Sequence, residues 1–361
     1  MTQRERFHAI MNGEPADELC QFEAGYWAET LDRWHGEGLP AATTPWDHFG
    51  ITWYEHPPLQ WGLWPYFEPE TVAEDAETVT YRDEAGVLAR RRRDGHSIPQ
   101  FLEFPVKTLA DFEALRERLD PTTPGRYPAD WEEHVLRWRT RDHILVVGNV
   151  TASFFGWPRS LMGVENLLLA YYDQPELIRA INDQHLEFIK VLYEKALKEV
   201  EFDFAFIWED MAFKNGPLIG PTLFREFMLP YYREMTDYFR SFGVKLCIVD
   251  SDGNNDALLP CFLEGGINGL LPLEVAAGVD VRALREAYPD LCLLGGVDKR
   301  ALARGPEAID AELEQRMRGV VGKGRYLPGV DHHVPPDVSL DNFAYYLQRA
   351  RELYREETGA R

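Results

Sequence analysis

Residues 143–150 read HILVVGNV, and the fold becomes legible from there. Ile144 to Val147 form an unbroken apolar run that stops at Gly148 and Asn149. After it, strand-like apolar runs alternate with helical amphipathic runs to the end of the chain. The strand-like runs are HILVVGNV, FDFAFIWED (202–210), VKLCIVDSDG (244–253), INGLLPLE (267–274), LCLLGGVD (291–298) and RYLPGVDHH (325–333). Between them lie helical stretches over 175–199, 221–242, 255–265, 280–288 and 306–324. The strands are continuously apolar rather than alternating, as expected when both faces are covered. LCQFEAGY (19–26) and one further strand in the N-terminal half bring the count to eight. The predicted class is α/β, a (β/α)8 TIM barrel. An open doubly wound sheet is the alternative, but no G-x-G-x-x-G follows the first strand.

Upstream of residue 140 the chain is irregular and aromatic-rich. RERFHAIMNG (4–13) reads as a short helix ended by Gly13. Residues 46–68 carry four tryptophans and several prolines, which predicts an aromatic loop segment. ETVTYRDEAGVLARRRRDG (77–95) reads as a β-hairpin turning at DEAG. Its run Arg90–Arg93 reads as a solvated edge that resists aggregation. A helix capped by Thr108 follows. The expectation is one domain over 1–361: an aromatic N-terminal extension with a hairpin to about residue 140, then the regular alternation.

Composition narrows the function. The 361 residues are 45% hydrophobic and 27% charged, an ordinary soluble balance. No apolar run is long enough to span a membrane, and the N-terminus lacks a signal-peptide core. A net charge of −22 argues against nucleic acid or an anionic membrane as partner. Cys20, Cys247, Cys261 and Cys292 form no C-x-x-C pair. They read as reduced, buried thiols of a cytosolic protein.

Barrel enzymes carry their sites where the strands end. The strand exits here are Glu23, Asn149, Glu209 with Asp210, Asp250 with Asp252, Glu274, Asp298, and Asp331 with His332 and His333. Acids crowded at one mouth repel, so they must be protonated, paired or bound to a cation. Asp250, Asp252 and His332 are the candidate metal ligands, a three-ligand set that leaves one position open. Two carboxylates make the set harder than a thiolate site, so zinc, manganese, iron or magnesium are all candidates. Glu209, Asp210 and His332 are the candidate catalytic groups. Tyr26, Trp27, Asn149, Phe154, Arg159, Glu274 and His333 are the candidate substrate contacts. Asp256, Asp280 and Asp298 read as helix-cap or turn residues.

RERFHAIMNGEPAD (4–17), the run from Asp203 to Met235 and GVDHHVPPDVSLDNF (329–343) resemble the uroporphyrinogen decarboxylase superfamily. The resemblance covers nearly the whole chain and implies the same barrel. Its decarboxylase members carry an arginine-rich segment after the first strand, which holds substrate carboxylates. Here EAGYWAETLDRW (23–34) puts Glu23 and Tyr26 in that region, against tetrapyrrole decarboxylation. Its cobalamin-dependent methyltransferase branch implies zinc held by an H-x-C pair and a later Cys. Asp250, Asp252 and His332 stand at those three positions. The resemblance therefore implies methyl transfer or O-demethylation of a small methylated substrate, with a corrinoid carried by a partner protein. In that reading a metal acts as Lewis acid on an ether oxygen, and Glu209 or Asp210 supports it or donates a proton. Decarboxylation of a tetrapyrrole or smaller carboxylate is the second reading. A non-catalytic, ligand-binding barrel is the third.

Overall fold

The computed structural model describes residues 1–93 and 98–360. All six strand-like runs are strands: Ile144–Asn149, Phe204–Trp208, Cys247–Asp250, Gly269–Leu271, Cys292–Val297 and Tyr326–Val330. They pair in parallel and in chain order, each with the next. A seventh strand, Tyr54–Glu55, joins at the edge beside Ile144–Asn149. The result is a seven-stranded parallel sheet, compatible with a (β/α)8 barrel. Nearly every residue in these strands is buried, since core side chains lie on one face and helices on the other. Close strand packing requires glycine at Gly295: its φ is 99°, and a Cβ there would lie 2.0 Å from the Pro272 carbonyl oxygen.

The helices form where expected. Pro175–Glu199 starts with Pro175 in its first turn and buries Leu177, Ile178, Ile181, His185, Phe188, Ile189 and Leu192 on one stripe. The 221–242 run is two helices, Pro221–Phe227 and Leu229–Ser241, meeting at Met228. At the opposite end of the sheet from the strand exits, Asp203 ties the N-terminal helix Gln3–Asn12 to the strands. It accepts from Arg4 Nε at 2.6 Å, His8 Nε2 at 2.7 Å, Arg141 Nη2 at 3.0 Å and Leu145 N at 2.7 Å.

The N-terminal half departs from the reading in three places. Residues 19–26 form no regular strand, only isolated parallel bridges from Phe22 to Thr52 and from Tyr26 to Val334. Gly25, at φ 153°, and close packing by His333 replace a continuous ladder there. The aromatic loop supplies regular structure after all: the helix Pro45–Phe49 and the Tyr54–Glu55 strand. The hairpin is part of a four-stranded antiparallel sheet, Glu70–Glu74, Thr78–Arg82, Leu88–Arg92 and Gln100–Glu103. The arginine-bearing strand is therefore internal rather than an edge. Arg90, Arg91 and Arg93 are still exposed; Arg93 Nη2 pairs with Glu74 at 2.6 Å. Asp94 and Gly95, the end of the expected hairpin, lie outside the described residues.

All four cysteines are free and buried. Among the described residues, no helix is long and apolar enough to cross a membrane.

Candidate functional site

Four strand exits and the first irregular segment enclose a cavity of about 370 Å³. Its walls are Phe22, Ala24, Tyr54, Phe206, Trp208, Leu271 and Pro272, and its polar groups are Asp210, Asp250, Asp252, His332 and His333. Trp27 and Ile98 stand at the rim, 41% and 77% exposed.

The backbone is strained at several of these exits. Asn149, Asp210 and Leu273, each at or just past a strand exit, hold φ of 110°, 42° and 63°. Positive φ in a non-glycine residue costs about 1–3 kcal/mol and clusters at functional sites. Arg159 holds Asp210 in place: its Nη1 donates to the Asp210 carboxylate at 2.6 Å and to its carbonyl at 2.7 Å. The same guanidinium lies over the Trp208 ring, 5.3 Å from its centroid.

Three carboxyls line the cavity in different electrostatic settings. Asp210 is paired with Arg159. Asp252 faces His332, Oδ2 to Nε2 at 3.5 Å. That contact raises the His332 pKa above the ordinary histidine value, against the effect of burial. Asp250 has no side-chain hydrogen-bond partner among the described residues. Burial, and then the nearby Asp252 and Asp210, push its pKa well above the usual carboxylate range. His333 is shifted down, first by burial and then by His332. The Trp27 ring stacks on His332 (centroids 5.9 Å apart, 21° between planes) and meets His333 edge-on at 5.5 Å.

The cavity thus gathers Trp27, Asp210, Asp250, Asp252, His332 and His333 from the expected set, with Arg159 behind Asp210. The others are placed elsewhere. Glu209 is fully buried and holds the 153–156 turn. Its carboxylate accepts from Phe154 N (2.9 Å), Phe155 N (2.8 Å) and Gly156 N (2.8 Å), and from the Tyr232 hydroxyl. It is a positioning residue there, with its oxygens turned away from the cavity walls. Tyr26 is turned into an aromatic cluster with Trp34, Trp46 and Phe343. Phe154 is core, packed on His185, Tyr231 and Tyr232. Asn149 accepts from the Val150 N–H at 2.8 Å and does not line the cavity. Glu274 accepts from Gly253 N at 3.0 Å, bracing the loop that carries Asp252. Asp331 is buried and accepts from Val275 N and Lys299 N, which ties two exits together. Asp280 and Asp298 cap helices, as expected.

Phe22, Ala24, Tyr54, Ile98, Phe206, Leu271 and Pro272 were not anticipated. A spacing of two was the available signal for one of them: Phe206 precedes Trp208 and Asp210 on the same side of the chain.

Asp250, Asp252 and His332 share the cavity. Yet among the described residues no group of three or more His, Cys, Asp or Glu side chains is arranged to hold a metal ion. The chemistry below is derived from the side chains themselves.

A parallel sheet with an apolar, acid-bearing cavity at its strand exits is the arrangement of a (β/α)8-type fold that carries its site where the strands end. A uroporphyrinogen decarboxylase (URO-D) family profile matches residues 90–353, and the chain belongs to that family. No curated protein sequence matches the chain. Among solved structures, a methyltransferase from Methanosarcina mazei superposes with a TM-score of 0.62 at 18% identity. The match covers 98% of this chain and 99% of that one. Identity this low shows a shared fold.

Proposed function

We propose that this protein removes a methyl group from a small methylated substrate bound in the cavity and passes it to a corrinoid carried by a partner protein. The observation that carries this reading is the cavity itself: about 370 Å³, aromatic-walled, with one unpartnered carboxyl, Asp250, facing into it. That volume is small-molecule size. The full-length likeness to a methyltransferase fold supports the same reading.

Phe22, Tyr54, Phe206, Trp208 and Leu271 exclude water from the methyl carbon. Asp250 faces the heteroatom that the methyl group leaves. The Asp252–His332 pair orients the rest of the substrate, and Arg159 fixes Asp210 as part of the wall. A reduced corrinoid, when its carrier docks, supplies the nucleophile. The exposed rim rings of Trp27 and the side chain of Ile98 offer that carrier an apolar edge. Arg159 and His332 are taken up by Asp210 and Asp252, so the cavity offers no free cation to hold a substrate carboxylate among the described residues, which is the argument against decarboxylation. The four unpaired, buried cysteines suit a reducing compartment, and we place the protein in the cytosol.

The test is to incubate the protein with reduced cobalamin and a panel of methylated donors while following the corrinoid spectrum. Methylation by at least one donor is expected, and Asp250→Asn is expected to lower kcat/KM by ~30-fold or more. A corrinoid unchanged by every donor, or an Asp250→Asn enzyme as active as the parent, rejects the proposal. Release of CO2 from a carboxylated analogue instead would establish decarboxylation.

A further inference from the structure

We infer that the substrate of this cavity is a cation, a methylated quaternary ammonium compound, and that Asp250 is the residue that selects it. The inference rests on the methyl-transfer reading for the fate of the methyl group, but not for the binding itself.

The charges around this cavity do not cancel. Three carboxyls line it, Asp210, Asp250 and Asp252. Arg159 is committed to Asp210 at 2.6 Å. His332 is committed to Asp252 at 3.5 Å. His333, the other histidine in the wall, packs against Trp27 and His332 and makes no ion pair among the described residues. Lys299 stands outside the lining and is shared between Asp331, at 3.5 Å, and Glu274, at 4.0 Å. Among the described residues, Asp250 is left with no cationic partner. One monocation completes the set, and a cation beside Asp250 favours its ionised form.

The walls independently point to the kind of cation. A primary ammonium needs hydrogen-bond acceptors on several sides. Around its carboxyls this cavity offers mainly aromatic and aliphatic carbon: Phe22, Tyr54, Phe206, Trp208 and Leu271. A quaternary ammonium makes no hydrogen bonds, spreads its charge over its methyl groups and is held by aromatic faces. Phe22, Tyr54 and Phe206 form a stacked series, with centroids 5.3 and 6.0 Å apart. These rings make a poorly hydrated carbon wall, and the Asp250 carboxylate beside them supplies the negative charge.

The chemistry balances without a proton. The C–N bond breaks with its electron pair left on nitrogen, and the two-electron nucleophile of a reduced corrinoid forms the new bond to the methyl carbon. The product is a neutral tertiary amine. That step needs no proton from Asp250, which meets the charged nitrogen in the substrate before any bond breaks. Asp250 therefore acts on binding more than on the bond-breaking step.

The experiment compares choline with 3,3-dimethyl-1-butanol, its neutral isostere, which differs by one atom of carbon for nitrogen. Binding to the full-length protein is measured by calorimetry and tryptophan quenching with no corrinoid present. Choline is expected to bind ~30-fold tighter. In Asp250→Asn, checked for native circular dichroism, that preference is expected to shrink to a few-fold. Equal affinities for the two ligands in the parent protein overturn the inference, whatever the variant does. So does a choline preference that survives intact in folded Asp250→Asn. Methyl transfer from neutral ethers without choline preference would defeat this inference and leave the proposed function standing. Choline selectivity without any methyl transfer would do the reverse.

Discussion

Glu209 shows how a residue at a site can matter without touching a substrate. Both of its oxygens are occupied by three backbone N–H groups and the Tyr232 hydroxyl. Burial raises its pKa, although these bonds oppose the shift. Removing the carboxylate takes the acceptor from three buried backbone N–H groups and from the Tyr232 hydroxyl, each unpaired donor costing about 1–3 kcal/mol. Glu209→Ala is therefore expected to destabilise the protein by about 3–5 kcal/mol, seen as a clear fall in Tm, and Glu209→Gln by less. An unchanged Tm in Glu209→Ala would remove its role as the anchor of the 153–156 turn. The neighbouring pair Tyr26 and Trp27 makes the complementary point. Both were expected at the mouth, and adjacent side chains cannot both face it. Trp27 lies at the rim on His332, while Tyr26 is buried against Trp34 and Trp46. Nothing local to the pair decides which side faces the site.

At the scale of elements, the strands and helices after residue 143 were legible because apolar runs and amphipathic stripes are local properties of the chain. The aromatic N-terminal region was not, because its order comes from long-range bonds. Arg126 is the main example. It is 2% exposed, and its guanidinium donates to four carbonyls: Asp120 at 2.7 Å, Gln60 at 2.6 Å, Gly62 at 3.0 Å and Arg118 at 2.7 Å. It also lies over the Phe188 ring at 4.7 Å, which docks the loop on the long helix. No strand or helix pattern marks such a residue in advance. Arg126→Ala is expected to cost about 3–5 kcal/mol and to open the 57–66 segment to limited proteolysis while the helical circular dichroism persists. Arg126→Lys cannot span four carbonyls and is expected to recover little. Protease resistance equal to the parent's would show that the loop is held some other way.

At the scale of the molecule, the segment around Phe22 meets both edges of the parallel sheet. Phe22 bridges Thr52 on one side. On the other, the buried Glu23 accepts from Val330 N at 2.9 Å and from the Tyr346 hydroxyl at 2.9 Å. Burial pushes its pKa from 4.5 to about 8. The sign follows from proton counting. Between about pH 4.5 and 8 the folded protein holds a proton at Glu23 that the unfolded chain has released, so rising pH favours unfolding. Stability is expected to decline across that window and to level off above it. Glu23→Gln can still accept from Val330 N and donate to Tyr346, and its contribution carries no such slope. Urea unfolding at several pH values tests this; identical slopes in the parent and Glu23→Gln would show that Glu23 is not the group responsible.

The sequence by itself determined the strand–helix alternation, the parallel sheet and the acidic exits that became the cavity. Each depends on patterns within a few residues, where burial on both faces or on one stripe writes itself into the order of apolar and polar side chains. Asp250, Asp252 and His332 were legible for the same reason: each lies at or just past the end of an apolar run. Only the tertiary structure decided which of them has a partner. Arg159 reaches Asp210 and His332 faces Asp252 across exits far apart in the chain. Tyr54 and Phe22 meet as cavity walls only when the N-terminal segment packs against the sheet. Those pairings are set by the curvature of the sheet, which brings distant strand ends to one point, and among the described residues they leave Asp250 as the one cavity carboxyl without a counter-charge.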